Sequence, residues 1–558
     1  MIPHSMQQDN PKNRTNSQPS QEPQMGRKPG DRVVFQALSM AFGTMTSRVL
    51  GLIRDQLFMA LFSRTVTDAW GVAFRLPNMF RRLLGEGSLS VSFIPVFVEA
   101  RVQDPSEARA HNLVNGFYTM LLVVLGTLTA LGILFAEPVV RILVENHFSE
   151  IPGKFELTVR MAQIMFGFIF LMSTYAFFMG ILNALGQFAL PAMAPTFFNI
   201  AMIAANFWPR HWQAIEGDAL AWGVVVGGVL QTGILIPALR RAGYFPKLHW
   251  LGMSGDIAKV WRNMVPGALG MGLLQITTIV NTNFASSLGE GSNSYIYLAD
   301  RLLELPLSLV SVSLGTALLP TLASLWARGE REKTTETANY YLRLNLFVAV
   351  PAALGLYFLS APIVALLFEH GKFSVEDSAV TASVVQIYSL TLILSSSVRV
   401  LVPSYYAVKN TWFPAVVSAV CLVFHILVAP ILMKSYGIQG LVASTCASAG
   451  LNLLCLMMFY PKFIGRLGIG KILVGFVKFA LAGAVLALVC ALYPLVMGIF
   501  VQLGLGVLIP RLLAVSFVIL AGAVAYATIS YLLKTEEFHH VFNSLLGRIR
   551  RRVRSQKI

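Results

Sequence analysis

Apolar runs long enough to cross a membrane recur along this sequence between short polar breaks, a pattern that predicts a chain of transmembrane helices. A spanning helix needs roughly 20 predominantly apolar residues. LLVVLGTLTALGILFA (121–136), WGVVVGGVLQTGILIPAL (222–239) and LLAVSFVILAGAVAYATISYLL (512–533) are such runs. The same window moved along the whole chain predicts about fourteen spans. They lie near 34–63, 67–99, 110–136, 157–184, 187–208, 218–239, 260–287, 294–323, 341–368, 377–407, 413–433, 437–460, 472–497 and 508–533. The second is too polar to face lipid.

Composition agrees with the bilayer. Of 558 residues 55% are hydrophobic and only 13% charged, where a soluble domain carries about a quarter. The net charge of +16 raises nucleic acid as a partner, but its placement argues against one. Lys and Arg crowd the N-terminal tail and then alternate loops: Arg101/Arg109, Arg240/Arg241/Lys247/Lys259, Arg328/Arg331/Lys333, Lys462/Arg466/Lys471. In the intervening loop 138–156, Glu145, Glu150 and Glu156 oppose Arg141 and Lys154. This is the positive-inside pattern, and an even number of spans then places both termini in the cytoplasm. Residues 1–33 read as a disordered cytoplasmic tail without the apolar core of a signal peptide. The basic tail 534–558, ending GRIRRRVRSQKI, either binds anionic lipid or only fixes topology. The four cysteines all fall in apolar spans and fit no metal spacing.

An internal repeat organises the spans. LGILFAEPVVRILVENHF (131–148) echoes LGLYFLSAPIVALLFEHGKF (354–373), NALGQFALPA (183–192) echoes YAVKNTWFPA (406–415), and GSLSVSFIPVFVEAR (87–101) echoes VSVSLGTALLPTLASLWAR (310–328). Pro138 faces Pro362, Pro191 faces Pro414, and Pro95 faces Pro320, at offsets of about 223–225 residues. Six spans fit that interval, so the two copies run parallel. The expected architecture is an all-α integral membrane protein: a six-helix lobe at 34–240, a second at 258–460, and two extra helices at 472–533. Repeats of this kind serve transporters that rock one lobe against the other, and also scaffolds that move nothing.

Charge inside the spans selects between these. An Arg, Lys or Asp at a helix centre costs on the order of 2.5–3.5 kcal/mol, so it faces a partner or a cavity. SRVLGLIRD (47–55) holds Arg48, Arg54 and Asp55; TDAWGVAFRLPNMFRRLLGEG (67–87) holds Asp68, Arg75, Asn78, Arg81, Arg82 and Glu86; ADRLLELP (299–306) holds Asp300, Arg301 and Glu304. At 100° per residue, Asp68, Arg75, Arg82 and Glu86 lie within about 40° of one another, and Arg48 shares a face with Asp55. Arg81 falls off that stripe unless Pro77 kinks the helix, so both Arg81 and Arg82 stay candidates. Arginine is in surplus in the first lobe, and its fork binds phosphate bidentately. The charges predict a cationic chamber for a phosphate-bearing substrate; the competing reading is that they only pair helices.

These three motifs closely resemble the MurJ (MviN) family of lipid II flippases in the MOP transporter superfamily, from about residue 34 to the end. The resemblance implies a MATE-like fold in the bacterial inner membrane. Its implied substrate is lipid II, the undecaprenyl-pyrophosphate precursor of peptidoglycan. It implies cavity arginines at Arg48, Arg54, Arg81 and Arg301, and gating or pairing acids at Asp55, Asp68 and Glu86. Its last two helices, here 472–497 and 508–533, are implied to form a groove for the lipid tail. Some members bind sodium through Asn and Asp on the eleventh helix; CLVFHILVAPIL (421–432) offers His425 and no carboxylate, which runs against sodium. His425 then reads as a proton relay or a helix-to-helix bond. No cofactor or metal is expected; the expected partners are lipid II and membrane lipids, not nucleic acid, and the expected state is a monomer. Membrane potential is the expected drive, each charge moved being worth about 2.3 kcal/mol per 100 mV. The alternatives are an exporter of another polyprenyl-linked glycan, a MATE-like antiporter, or an enzyme acting on the same lipid. The acidic lining that a cation antiporter needs is missing, and no HExxH, P-loop or GxSxG motif supports an enzyme.

Overall fold

The computed structural model describes residues 29–83, 89–253, 255–307, 313–504, 506–540 and 542. They are helical throughout, with no strand among them. The first copy of the repeat comprises α1 (Pro29–Leu61), α2 (Arg64–Leu83), α3 (Leu89–Gln103), α4 (Ala108–Leu134), α5 (Ala136–Leu143), α6 (Asn146–Ser149), α7 (Lys154–Met165), α8 (Gly167–Ala184), α9 (Ala189–Asn206), α10 (Asp218–Gly233) and α11 (Ile236–Arg241). The second comprises α12 (Gly255–Ser286), α13 (Ser292–Leu307), α14 (Ser313–Ala327), α15 (Arg331–Phe358), α16 (Ser360–Phe368), α17 (Val375–Ala407) and α18 (Trp412–Phe463). Then come α19 (Ile469–Ala491), α20 (Tyr493–Val501) and α21 (Leu508–Leu532). Among the described residues, nine segments are long and apolar enough to cross a membrane.

Proline chemistry explains why the predicted spans are broken. A proline leaves the carbonyl four residues upstream without its helical donor. Accordingly α4 ends at Leu134, four before Pro138, and α15 ends at Phe358, four before Pro362. Pro191 and Pro414 each occupy the third position of their helix, α9 and α18, where the N–H would be unpaired anyway. The break within α18 needs a glycine instead: Gly437 has φ 57° and ψ −132°, dividing its 52 residues in two. Helix α1 runs from Pro29, the first described residue, where the sequence expectation puts the span near 34.

Helices α12 and α13 pack against the first copy as well as their own, α12 on α3 and α18, α13 on α2 and α17. The two copies therefore meet along α2, α3, α12 and α13, with α1 also touching α16. The extra pair α19 and α21 packs on α15, where Phe479, Ala482 and Tyr526 are buried against Phe347. The Tyr526 hydroxyl donates to the Phe347 carbonyl at 2.8 Å. Tyr526→Phe leaves that buried acceptor unpaired and is expected to cost about 1 kcal/mol, read as a lower melting temperature in detergent.

The linker between the copies is strapped to α4. Lys247 N–H donates to Asn115 Oδ1 at 2.7 Å and His249 N–H to Thr119 Oγ1 at 2.9 Å. Two extended residues on the strap thus match one turn of α4. Tyr244 stacks on His111, with ring centroids 4.6 Å apart, and donates to Glu107 at 2.8 Å. Burial, then the carboxylate beside it, pushes the Tyr244 phenol up to about 12. Bonds from Arg101 and then Tyr244 hold the Glu107 carboxyl below its ordinary value. A depressed carboxyl stabilises the strap above the ordinary glutamate range and loses that contribution as pH falls through the folded value. Protease cleavage within 242–253 is therefore expected to rise below about pH 4, and to rise less in Glu107→Gln.

Candidate functional site

An arginine inside an apolar helix must find an anion or an acceptor for each donor. On α1 the Arg54 fork turns onto its neighbour: Nε and Nη2 donate to Asp55 Oδ1 at 3.0 and 2.7 Å. Its other donors cross to different helices, Nη1 to Asn199 Oδ1 on α9 at 3.1 Å and Nη2 to the Tyr297 hydroxyl on α13 at 3.1 Å. Arg301, one turn beyond Tyr297, donates from Nε to Asp55 Oδ2 at 3.1 Å and from Nη1 to Glu304 at 3.3 Å. Asp55 is 1% exposed and Arg54 7%. One buried carboxylate on the first copy is thus shared by an arginine from each copy. Gly51 makes this approach possible, since a Cβ there would lie 2.5 Å from Arg301 Nη2. Asn199 is fixed by its own bond to the Ser47 carbonyl at 2.8 Å.

A second junction lies at the α1–α2 turn. Asp68 accepts from the backbone N–H of Gly291 at 2.7 Å and of Ser294 at 3.1 Å, and from the Ser294 hydroxyl at 2.8 Å. A side chain of the first copy thereby caps the N-terminus of α13 in the second, where the helix dipole favours negative charge. Lys154 balances it at 2.9 Å, with both side chains almost wholly buried and the ammonium 4.4 Å from the Phe148 ring. Alongside, Arg64 Nε pairs with Asp377 at 2.7 Å, and the Tyr295 hydroxyl donates to the same carboxylate. Lys372 N–H donates to the Ala60 carbonyl at 2.8 Å, while Lys372 Nζ reaches Glu216 at 3.3 Å. Every one of these bonds crosses from one copy to the other or, like those of Lys154 and Tyr295, braces one that does.

Of the residues singled out in the sequence, Arg54, Asp55, Arg301 and Glu304 come together in the first junction and Asp68 lies in the second. Arg48 is half-buried on α1 and makes no ion pair among the described residues. Arg75 and Asn78 are half-buried on α2; Arg75 lies, like Asp300, within electrostatic reach of the buried Tyr388. Arg81 and Arg82 lie on α2, but their side chains, and Glu86 altogether, are outside the described residues. His425 is fully buried and contacts Asn281 on α12 at 2.7 Å and Ser444 at 3.0 Å, bridging helices. Lys154 corrects a sequence reading. It is no loop counter-charge: Gly153, at φ 75°, turns the chain so that the first side chain of α7 points inward to Asp68. The sequence also missed Asn199, Tyr297, Arg64 and Asp377; of these only Asn199 left a signal, a polar residue within the apolar stretch of α9.

The family profile described as lipid II flippase MurJ matches residues 58–514. A probable lipid II flippase MurJ of Bdellovibrio bacteriovorus is 49% identical over 513 residues, covering 92% of this chain and 97% of that protein. The lipid II flippase MurJ of Burkholderia cenocepacia is 35% identical over 436 residues, 77% of this chain and 84% of its own. A solved structure of a lipid II flippase MurJ in an inward closed conformation has TM-score 0.70 at 23% identity, covering 88% of this chain and 99% of that one. A multidrug resistance MATE family transporter in an inward-facing conformation has TM-score 0.63 at 14% identity, with coverage of 79% and 98%. At such identities the two structures speak to the fold, which is that of MurJ and the MATE transporters.

Proposed function

The chain belongs to the lipid II flippase MurJ family, and from that premise we propose that it moves lipid II from the cytoplasmic to the periplasmic leaflet by alternating access. It is a multi-pass membrane protein of a transporter family. The observation that supports the mechanism best is the shared carboxylate: Arg54 and Arg301, one from each lobe, converge on a single anion at the lobe interface. A pyrophosphate fits such a seat, because each guanidinium presents a fork to its oxygens. Arg48, Arg75, Asn78, Arg81 and Arg82 would line the approach, with Glu86 and Glu304 among the gating acids. With both termini cytoplasmic, the α1–α2 turn faces the periplasm, and the junction at Asp68 is the closed periplasmic gate. The exposed apolar faces of α19 and α21, including Leu481, Leu488, Leu520 and Val524, suit the polyprenyl tail. Membrane potential biases the cycle as the charged seat changes sides.

The test is complementation in bacteria depleted of their own flippase. The wild-type chain is expected to sustain growth, and Arg301→Ala, present in the membrane at equal level, is expected to fail. No rescue by a correctly inserted wild-type chain, with rescue instead of a mutant lacking another polyprenyl-glycan exporter, would move the substrate to that glycan.

A further inference from the structure

The geometry points to Asp55 as a built-in counter-anion that holds, in the empty carrier, the place one phosphate of the substrate takes. The inference rests on the flippase reading above and goes beyond it by naming what the substrate must displace. Four hydrogen bonds converge on this carboxylate: Arg54 Nε at 3.0 Å, Arg54 Nη2 at 2.7 Å, Tyr297 Oη at 3.2 Å and Arg301 Nε at 3.1 Å. Beyond Asp55, Arg54 donates to Asn199 and Tyr297 and Arg301 to Glu304, and Arg301 Nη2 lies over Gly51. The Arg54 fork is therefore committed to protein acceptors, and Arg54 is 7% exposed. An incoming phosphate reaches it only by exchange.

Asn199 and Tyr297 are neutral and tolerate an anion nearby. Asp55 does not, since a second anion beside this buried carboxylate is strongly repelled. The carboxylate must therefore give up both arginines when the phosphate takes them. That exchange assigns Asp55 two effects of opposite sign. It neutralises the buried Arg54 in the empty carrier and, through Arg301, ties the lobes together across the interface. It also competes with the substrate, which weakens binding and assists release on the far side, where the carboxylate takes the arginines back.

Removing the charge separates the two effects. Asp55→Asn keeps the size and the acceptor oxygen but cannot repel a phosphate. The full-length protein in nanodiscs is titrated with undecaprenyl pyrophosphate, and with undecaprenol as the phosphate-free control. Asp55→Asn is expected to bind undecaprenyl pyrophosphate about tenfold more tightly than wild type, with no change for undecaprenol, while its rate of lipid II transport falls. Tyr297→Phe removes one of the four bonds that hold the carboxylate and is expected to shift affinity the same way by a few-fold. It decides the matter where Asp55→Asn does not assemble. Equal or weaker pyrophosphate binding by a folded variant overturns the proposal. A wild type that binds undecaprenyl pyrophosphate without a gain in either variant defeats this inference alone. A wild type that binds no better than it binds undecaprenol defeats the flippase reading as well.

Discussion

Asp68→Ala is expected to abolish complementation and to lower the stability of the protein by about 3–5 kcal/mol, the cost of leaving one member of a buried ion pair without its partner. Lys154 is 2% exposed and its ammonium has no other carboxylate within bonding distance among the described residues. The same substitution strips the cap from α13, freeing the N–H groups of Gly291 and Ser294. Two consequences follow from one atom group because Asp68 serves both lobes. Asp68→Asn separates them: its amide oxygen still caps α13, but the charge facing Lys154 is gone. Thermal unfolding in detergent should rank wild type above Asp68→Asn and Asp68→Asn above Asp68→Ala. The double variant Asp68→Ala/Lys154→Met should recover stability without recovering growth, since it removes the stranded charge but not the need for the cap. Recovery of both would show that the junction is structural only.

Gly51→Val is the complementary case, a large loss of transport with little loss of stability. The added Cβ would stand 2.5 Å from Arg301 Nη2, so the guanidinium must leave its seat beside Asp55. The group that moves is the far end of a flexible side chain, so the backbone is spared. Replacing a helical glycine by valine also recovers some backbone entropy, on the order of a few tenths of a kcal/mol. What disappears is a charge-assisted bond worth about 1.5–3 kcal/mol, which corresponds to roughly one to two orders of magnitude in transport. Gly51→Ala should follow the same direction more mildly. The check is the ratio of transport to membrane-inserted protein, with melting temperature measured alongside; a variant that melts early would point instead to damaged packing of α1 on α9.

Much of this site was legible because charge in an apolar helix is costly. Arg54, Asp55, Asp68 and Arg301 stand out in the sequence for that reason alone, and the recurring prolines disclose the repeat that sets α1 and α13 in different copies. What each charge touches was not legible, because it depends on where helices cross. Helical periodicity placed Asp55 on a face with Arg48, whereas its partners are Arg54, folded back from the adjacent position, and Arg301, more than 240 residues away. Tyr297 and Asn199 escaped notice since a tyrosine or asparagine in a span carries no comparable penalty. Lys154 was misread because its charge lies at a helix start, and only the left-handed turn at Gly153 decides that it points inward. The breaks at Leu134 and Phe358 were implicit in Pro138 and Pro362, four residues on, although hydropathy alone ran the 341–368 span through the second.

In the proposed cycle, two arginines from opposite lobes carry the pyrophosphate of lipid II across the membrane. This is tested most directly by measuring lipid II exposed on the outer leaflet of cells that depend on this chain alone. The wild type should expose lipid II, and Arg301→Ala, inserted at the same level, should leave it on the inner leaflet. Equal exposure in the two, or none with the wild type, would show that these arginines do not carry it.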